Sequence, residues 1–324
     1  MEIPVITHIA GICPLYGYSF DLMVIHDMDK DFTRRVKRTI HELRAYFSAD
    51  RIVGGYVGIK AKDHRVNMFD YHPEIQSYNR YNLGDYLGFV VADWMLAKKG
   101  LSLDTWVKKR KHFNCIGSNV FASYQHTTLW GSGLLMEPDS KIKRLLIRYP
   151  LSKYDFRAVR GPLSRDVILR FGHKCPEIYG DPAILMPLIY NPARVVKHDL
   201  LVIPQFKTEA EFRNNHPDLF TVSMNTNDYN AVIDKIVSSK KVITSSLHAI
   251  ILSDAYGVPS VFFRGLDKVK DFKYLDYYYS TGRRDVKIAD SFEEALEMTP
   301  LPLPDLKPLQ EGLLKTFPYD LWEE

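Results

Sequence analysis

Four short apolar runs set the fold class: Leu200-Leu201-Val202-Ile203, Phe220-Thr221-Val222-Ser223-Met224, Lys241-Val242-Ile243-Thr244 and Ser260-Val261-Phe262-Phe263. Each has the length and β-branched or aromatic content of a buried strand. Between them Tyr229, Val232, Ile233, Ile236 and Val237 recur at helical spacing, and residues 247–256 read as another helix before the break Gly257-Val258-Pro259. Val286-Lys287-Ile288 is read as a further strand. Ser291-Phe292-Glu293-Glu294 is a capping box that opens a helix to about Met298. Strand and helix alternating at this pace predict an α/β protein with a parallel, doubly wound sheet.

Toward the N-terminus the theme repeats. Asn114-Cys115-Ile116-Gly117, Thr127-Thr128-Leu129-Trp130 and Leu145-Leu146-Ile147-Arg148 are expected strands, with helices over about 34–47, 86–97 and 162–171. The proline-rich stretch from Asp181-Pro182 to Asn191-Pro192 is the expected boundary. The reading is an N-terminal Rossmann-like domain over 1–190 and a second over 191–300. An amphipathic helix within 301–324, carrying Leu309, Leu313 and Leu314, closes the chain.

The whole chain agrees with a folded protein of about two domains: 324 residues, 46% hydrophobic and 25% charged. Disorder and collagen-like repeats are excluded. No apolar run reaches membrane-span length, and Met1-Glu2-Ile3-Pro4 lacks a basic leader, so a cytoplasmic chain is expected. Cys13, Cys115 and Cys175 contain no C-x-x-C pair and read as reduced thiols. The net charge of +4 is unevenly spread, with 27 Lys and Arg against 19 Asp and Glu up to Tyr190. That is too mild to indicate nucleic acid. The runs Arg34-Arg35-Val36-Lys37-Arg38, Lys108-Lys109-Arg110-Lys111 and Lys141-Ile142-Lys143-Arg144 fit either a solvated helix face or contact with anionic lipid.

In open α/β sheets, ligands bind where strands lead into helix N-termini. Arg157-Ala158-Val159-Arg160-Gly161-Pro162-Leu163-Ser164-Arg165 is such a turn. Pro162 suits the first helical position, so Arg160 and Arg165 would flank free N–H groups, as an anion site or simply as surface arginines on a capped helix. Thr244-Ser245-Ser246-Leu247-His248 is the second: a serine would cap the helix, and His248 in its first turn would have a lowered pKa. His248 is then either a general acid/base or a structural histidine. Weaker turns are Asn82-Leu83-Gly84-Asp85, Trp130-Gly131-Ser132-Gly133 and Gly180-Asp181-Pro182. No G-x-G-x-x-G or Walker loop follows a strand. Asp27-Met28-Asp29-Lys30-Asp31 begins like a calcium loop, but Phe32 and Arg38 break that pattern; an Asp-x-Asp metal site for a nucleotide-sugar transferase is the other use of Asp27 and Asp29. The run Tyr277-Tyr278-Tyr279 suits packing or stacking on sugar rings.

From about Tyr81 to Pro318 the ordered set of these turns resembles the polysaccharide pyruvyl transferase family. The set comprises Asn82-Leu83-Gly84-Asp85, Ile116-Gly117-Ser118, Leu129-Trp130-Gly131-Ser132-Gly133, Ala158-Val159-Arg160-Gly161-Pro162-Leu163-Ser164-Arg165 and Gly180-Asp181-Pro182-Ala183. Ile243-Thr244-Ser245-Ser246-Leu247-His248-Ala249-Ile250-Ile251, Asp254-Ala255-Tyr256-Gly257-Val258-Pro259 and Leu313-Leu314-Lys315-Thr316-Phe317-Pro318 complete it. The first 78 residues lie outside it.

The resemblance implies a GT-B-like fold of two facing Rossmann-like domains, the last helix returning to the first. It implies phosphoenolpyruvate as donor substrate, with no cofactor or metal, and a sugar acceptor on a bacterial surface polysaccharide or its lipid-linked repeat unit, met at the inner membrane face. Residues matching Arg160 and His248 would contact the donor, together with Gly161, Arg165, Ser245, Ser246 and Leu247. Asn82, Gly84, Asp85, Gly131, Ser132, Gly133 and Asp181 would line the acceptor side. Many members have Arg where Ser246 stands, so Arg160, Arg165 or another cation must replace that donor. A GT-B-like glycosyltransferase using a nucleotide sugar and a non-catalytic glycan-binding relative are the rival readings.

Overall fold

The structure is a computed structural model that describes residues 6–12, 19–25, 66–68, 82–108, 111–120, 126–137, 154–265 and 271–323. The chain divides into two compact units, Met1–Val53 and Gly54–Glu324. In the first, β1 (Ile6–Ile12) and β2 (Ser19–Ile25) pair antiparallel, from Ile6 opposite Ile25 to Ile12 opposite Ser19. Residues 27–31, the helix expected over 34–47, the strand expected at 145–148, Cys13 and most of the basic runs lie outside the described residues.

Among its described residues the second unit holds two parallel sheets. β3 (Asn67–Met68), β4 (His112–Asn114), β5 (Thr127–Trp130) and β6 (Asp155–Ala158) lie side by side in chain order, and Tyr179 bridges beyond β6 to Val159. In the other sheet β7 (His198–Ile203), β8 (Ser239–Thr244) and β9 (Ser260–Phe262) are parallel. Thr221 bridges to the free side of β7 and Ala289 follows Phe263 just beyond β9. The chain therefore winds outward in both directions from β7 and β8, and the switch point between them opens a crevice at their carboxyl ends.

The helices are α1 (Leu83–Ala97), α2 (Pro162–Arg170), α3 (Glu209–Asn215), α4 (Tyr229–Val237), α5 (Leu247–Ala255), α6 (Phe272–Ser280), α7 (Phe292–Glu297) and α8 (Lys307–Thr316). The capping box forms: Ser291 Oγ accepts from the Glu294 N–H, while the Glu294 carboxylate accepts from the Asp290 N–H. β5 is buried at every position, as a parallel strand packed on both faces should be. The Trp130 indole donates to Leu313 O on α8 (3.1 Å), and Phe317 meets Trp130 edge-on at 5.0 Å. The closing helix thus packs on the first sheet.

Several elements differ from the sequence reading. The strand expected at 114–117 ends at Asn114, because Gly117 takes φ +104 and turns the chain. β6 was not anticipated: only Phe156 and Ala158 of its four residues are buried, too short an alternation to stand out. The strand expected at 220–224 reduces to a single bridge at Thr221, and no strand forms at 286–288, the bridge coming one residue later at Ala289. The proline-rich stretch begins inside the core: Pro182–Leu188 is a 3-10 turn with Ala183, Ile184, Leu185 and Met186 fully buried. The tyrosine run lies on α6, where Tyr277 and Tyr278 are core residues and Tyr277 donates to Asp254 (3.0 Å).

Candidate active site

At the switch point, the turn after β8 is locked from several sides. Thr244 Oγ1 donates to Ile203 O (2.6 Å) and accepts from the Ser246 N–H, Ser245 Oγ accepts from the Gln205 N–H (2.7 Å), and the Tyr274 hydroxyl donates to Ser245 O. Ser246 is the N-cap of α5, and among the described residues its side chain makes no capping bond to the positive end of that helix. Leu247 points into the core. His248 lies over Gly84: a Cβ at that glycine would come within 1.8 Å of the imidazole Nδ1. The first turn of α1 therefore needs a glycine for the ring to occupy its place.

Asn82 and Asp85 shape the other side of that turn. Asn82 accepts from the Gly84 N–H and donates to Asp85 Oδ2 (2.8 Å), and Asp85 Oδ1 sits against Gly117. Asp181 is buried, with Oδ1 capping the Ala183 N–H (3.1 Å) and Oδ2 facing His248 Nε2 at 3.8 Å. Asp181 Oδ2, His248 Nε2 and Gln205 Oε1 are buried without a hydrogen-bond partner among the described residues. Two of these orphaned atoms, Asp181 Oδ2 and His248 Nε2, face one another, and buried polar atoms without partners mark a place for a ligand, ordered water or a bond made at another stage.

The arginine turn behaves differently from the sequence reading. Arg160 is fully buried and its guanidinium is held within the protein, donating to Asp276 (3.2 Å), Ser118 Oγ (2.8 Å) and Leu134 O (2.6 Å). Gly133 packs beneath it, Ser132 is bound to Asn119, and Gly131 lies against Pro182. The anion at the N-terminus of α2 is internal as well: Asp276 accepts from the Ser164 N–H (2.9 Å) and the Ser164 hydroxyl (2.6 Å). Gly161 lets α6 approach this closely, since a Cβ there would meet Asp276 O at 1.9 Å. Arg165 does not join the cluster. One position past Ser164, it turns about 100° around the helix and donates to Cys175 O (3.3 Å).

Cations and carboxylates crowd the site together. Burial, then the neighbouring Lys273 and Arg160, pushes the His248 pKa down to about 3. The expected direction holds, but its main cause is burial and cations. Lys273 is pushed down to about 8 by burial and by Arg160 and Lys207. Burial raises Asp181 to about 7 against the pull of Arg160. Lys273, Lys207, Gln205 and Asp276 were missed in the sequence. Lys273 and Asp276 sit within an aromatic segment that reads as packing, and Lys207 and Gln205 follow a strand with no recognisable motif. Only the approach of α6 to the switch point gives them meaning.

A family model described as polysaccharide pyruvyl transferase matches residues 59–265. The chain belongs to the polysaccharide pyruvyl transferase family. Every pyruvyl transferase turn from Asn82 to His248 lies inside that match, whereas Lys273 and Asp276 lie beyond it. The chain is similar to the uncharacterized protein L143 of Acanthamoeba polyphaga mimivirus, 25% identical over 178 residues; the aligned part is 51% of this chain and 58% of that relative. It is also similar to the crystal structure of a functionally uncharacterized protein from Klebsiella pneumoniae subsp. pneumoniae NTUH-K2044. There the identity is 15% and the TM-score 0.44, covering 82% of this chain and all of the other. Among the described residues no helix is long and apolar enough to cross a membrane.

Proposed function

We propose that this protein transfers pyruvate from phosphoenolpyruvate to a sugar, forming a cyclic ketal and releasing phosphate. The observation that carries this reading is the gathering of cations around His248: burial first, then Lys273 and Arg160, holds His248 toward its neutral form, and burial first, then Arg160 and Lys207, does the same to Lys273. A bound polyanion would offset the repulsion that these cations exert on one another. Phosphoenolpyruvate supplies a phosphate and a carboxylate, and the N-terminus of α5 together with Lys273, whose own neighbour is Lys207, can neutralise them. Lys273 is the cation that takes over from the arginine many relatives carry at position 246. Arg160 acts through the buried Asp276 pair, which fixes the base of the site.

His248 is neutral near pH 7 and so serves first as a base. In this mechanism it takes a proton from one sugar hydroxyl and passes it to the methylene carbon of the donor. The hydroxyl oxygen bonds to C2; a second hydroxyl of the same sugar then displaces phosphate from C2, its proton leaving with the phosphate. No step requires a metal or cofactor. The finer architecture proposed is GT-B-like, with domains meeting near residue 190 between the two parallel sheets and the closing helix returning to the first. We propose the acceptor as a lipid-linked repeat unit, with the basic N-terminal half resting on an anionic membrane face; salt-sensitive flotation with anionic liposomes tests that.

Calorimetric titration of the full chain with phosphoenolpyruvate tests the donor. Saturable binding that weakens about tenfold or more in Lys273→Ala is expected from loss of one charge contact. No binding to the wild type across several salt concentrations, with binding of a nucleotide sugar instead, would replace this reading with a glycosyltransferase.

A further inference from the structure

Asp181 and His248 form a pair that the proposed chemistry does not yet use. Asp181 Oδ1 is fixed by the Ala183 N–H at the start of the 3-10 turn, which leaves Oδ2 aimed at His248 Nε2, 3.8 Å away. Both atoms are buried, and neither has another partner among the described residues. A buried polar atom left unpaired is costly, so two that face one another signal a bond made at another stage of the working cycle. The gap exceeds an N–H···O bond by less than 1 Å or so, and catalytic hydrogen bonds commonly tighten when ligand binds.

The other ring nitrogen has different surroundings. Nδ1 lies beside Gly84, where any side chain would displace the ring, and 13% of the His248 side chain is open to solvent although Nε2 is sealed. A neutral imidazole has one N–H, and the bond made by one nitrogen decides what the other can do. We propose that Asp181 is the positioning residue for His248: its carboxylate accepts the Nε2–H, leaving the Nδ1 lone pair to take and return the proton. This rests on the reading of His248 as the acid/base group.

The test is spectroscopic first. Full-length protein labelled with ¹⁵N-histidine gives long-range ¹H–¹⁵N spectra in which His248 is identified by its loss in His248→Gln. The wild type is expected to show the Nε2–H tautomer, and Asp181→Asn to shift it toward Nδ1–H. An Nδ1–H tautomer in the wild type, or an unchanged tautomer in Asp181→Asn, overturns the proposal. If the variant does not fold, the wild-type tautomer decides alone. In turnover with phosphoenolpyruvate, Asp181→Asn should lower kcat about a hundredfold with KM for the donor within about threefold; an unchanged kcat also overturns it. Because the spectra need no substrate, the two failures separate. The expected tautomer in a protein that never turns over phosphoenolpyruvate supports the pair and removes the donor assignment. Turnover with the wrong tautomer removes the pair alone.

Discussion

His248 carries a stability signature that can be measured without substrate. Its folded pKa of about 3 lies below its ordinary value, so the fold favours the neutral ring. The associated stability is full above pH 6.5 and is lost as pH falls toward 3. Wild type should therefore lose stability relative to His248→Gln between pH 7.5 and 5, at up to roughly 1.4 kcal/mol per pH unit in urea unfolding. Equal slopes in the two proteins would mean that the ring is not held neutral. Asp181 works in the opposite sense: raised to about 7, it favours the fold as pH falls from 7 toward 3.8, and that contribution is present in both proteins. Lys273 sets a second window. With its pKa held down to about 8, it loses its charge as pH rises through 8, so phosphoenolpyruvate affinity should decline above about pH 8. Lys273→Arg, charged throughout, should keep that affinity flat to about pH 10 in calorimetry. The same alkaline decline in both proteins would exclude Lys273 as the anion contact.

At the scale of elements, the N-terminus of α2 is capped from a distant helix. Asp276 on α6 accepts from Ser164 and pairs with Arg160, and all three side chains are buried. Removing one partner of such a pair strands the other in an apolar interior. Asp276→Ala should destabilise the protein by about 3–5 kcal/mol, read as a lowered urea midpoint. A loss below about 1 kcal/mol would mean that water replaces the pair. Gly84 couples α1 to α5 in a different way. Gly84→Ala must push the imidazole aside, since the added methyl would stand 1.8 Å from Nδ1. Turnover should fall at least about a hundredfold, because misplacing a proton-transfer group forfeits its contribution, while helix α1 itself gains propensity. Unaltered turnover with an unaltered His248 spectrum would refute that placement.

At the scale of the molecule, the closing helix reaches the site through one glycine. Leu313 of α8 is fully buried, and its Cδ1 lies 3.0 Å from where a Cβ would stand on Gly180, next to Asp181. Leu313→Ala should cost about 2–5 kcal/mol of stability, as core truncations do. Its effect on phosphoenolpyruvate binding should stay within about twofold, since no charge near His248 changes; a larger loss would tie the helix to ligand binding. The alternation of Leu200–Phe263 was enough to recognise the parallel sheet, because buried parallel strands are continuous apolar runs. β6 was hidden, since four residues with two charges give no periodic signal. The burial of 182–188 was not legible, because prolines mark turns whether or not the turn is buried.

Much of the candidate site was legible for a similar reason. Turns that bring backbone close to something need particular residues, so Asn82, Gly84, Asp85, Gly161, Asp181 and the Ser245 to His248 segment announced themselves by type and order along the chain. What the sequence by itself determined is local: strand and helix alternation, the turns between them and the family they spell. Tertiary structure alone decided which charges meet. It gave Arg160 and the α2 N-terminus to Asp276, sent Arg165 to Cys175, and brought Lys273 from α6 to His248. Periodicity describes how a segment faces the core, whereas Coulomb and desolvation energies depend on distances between segments far apart in the chain.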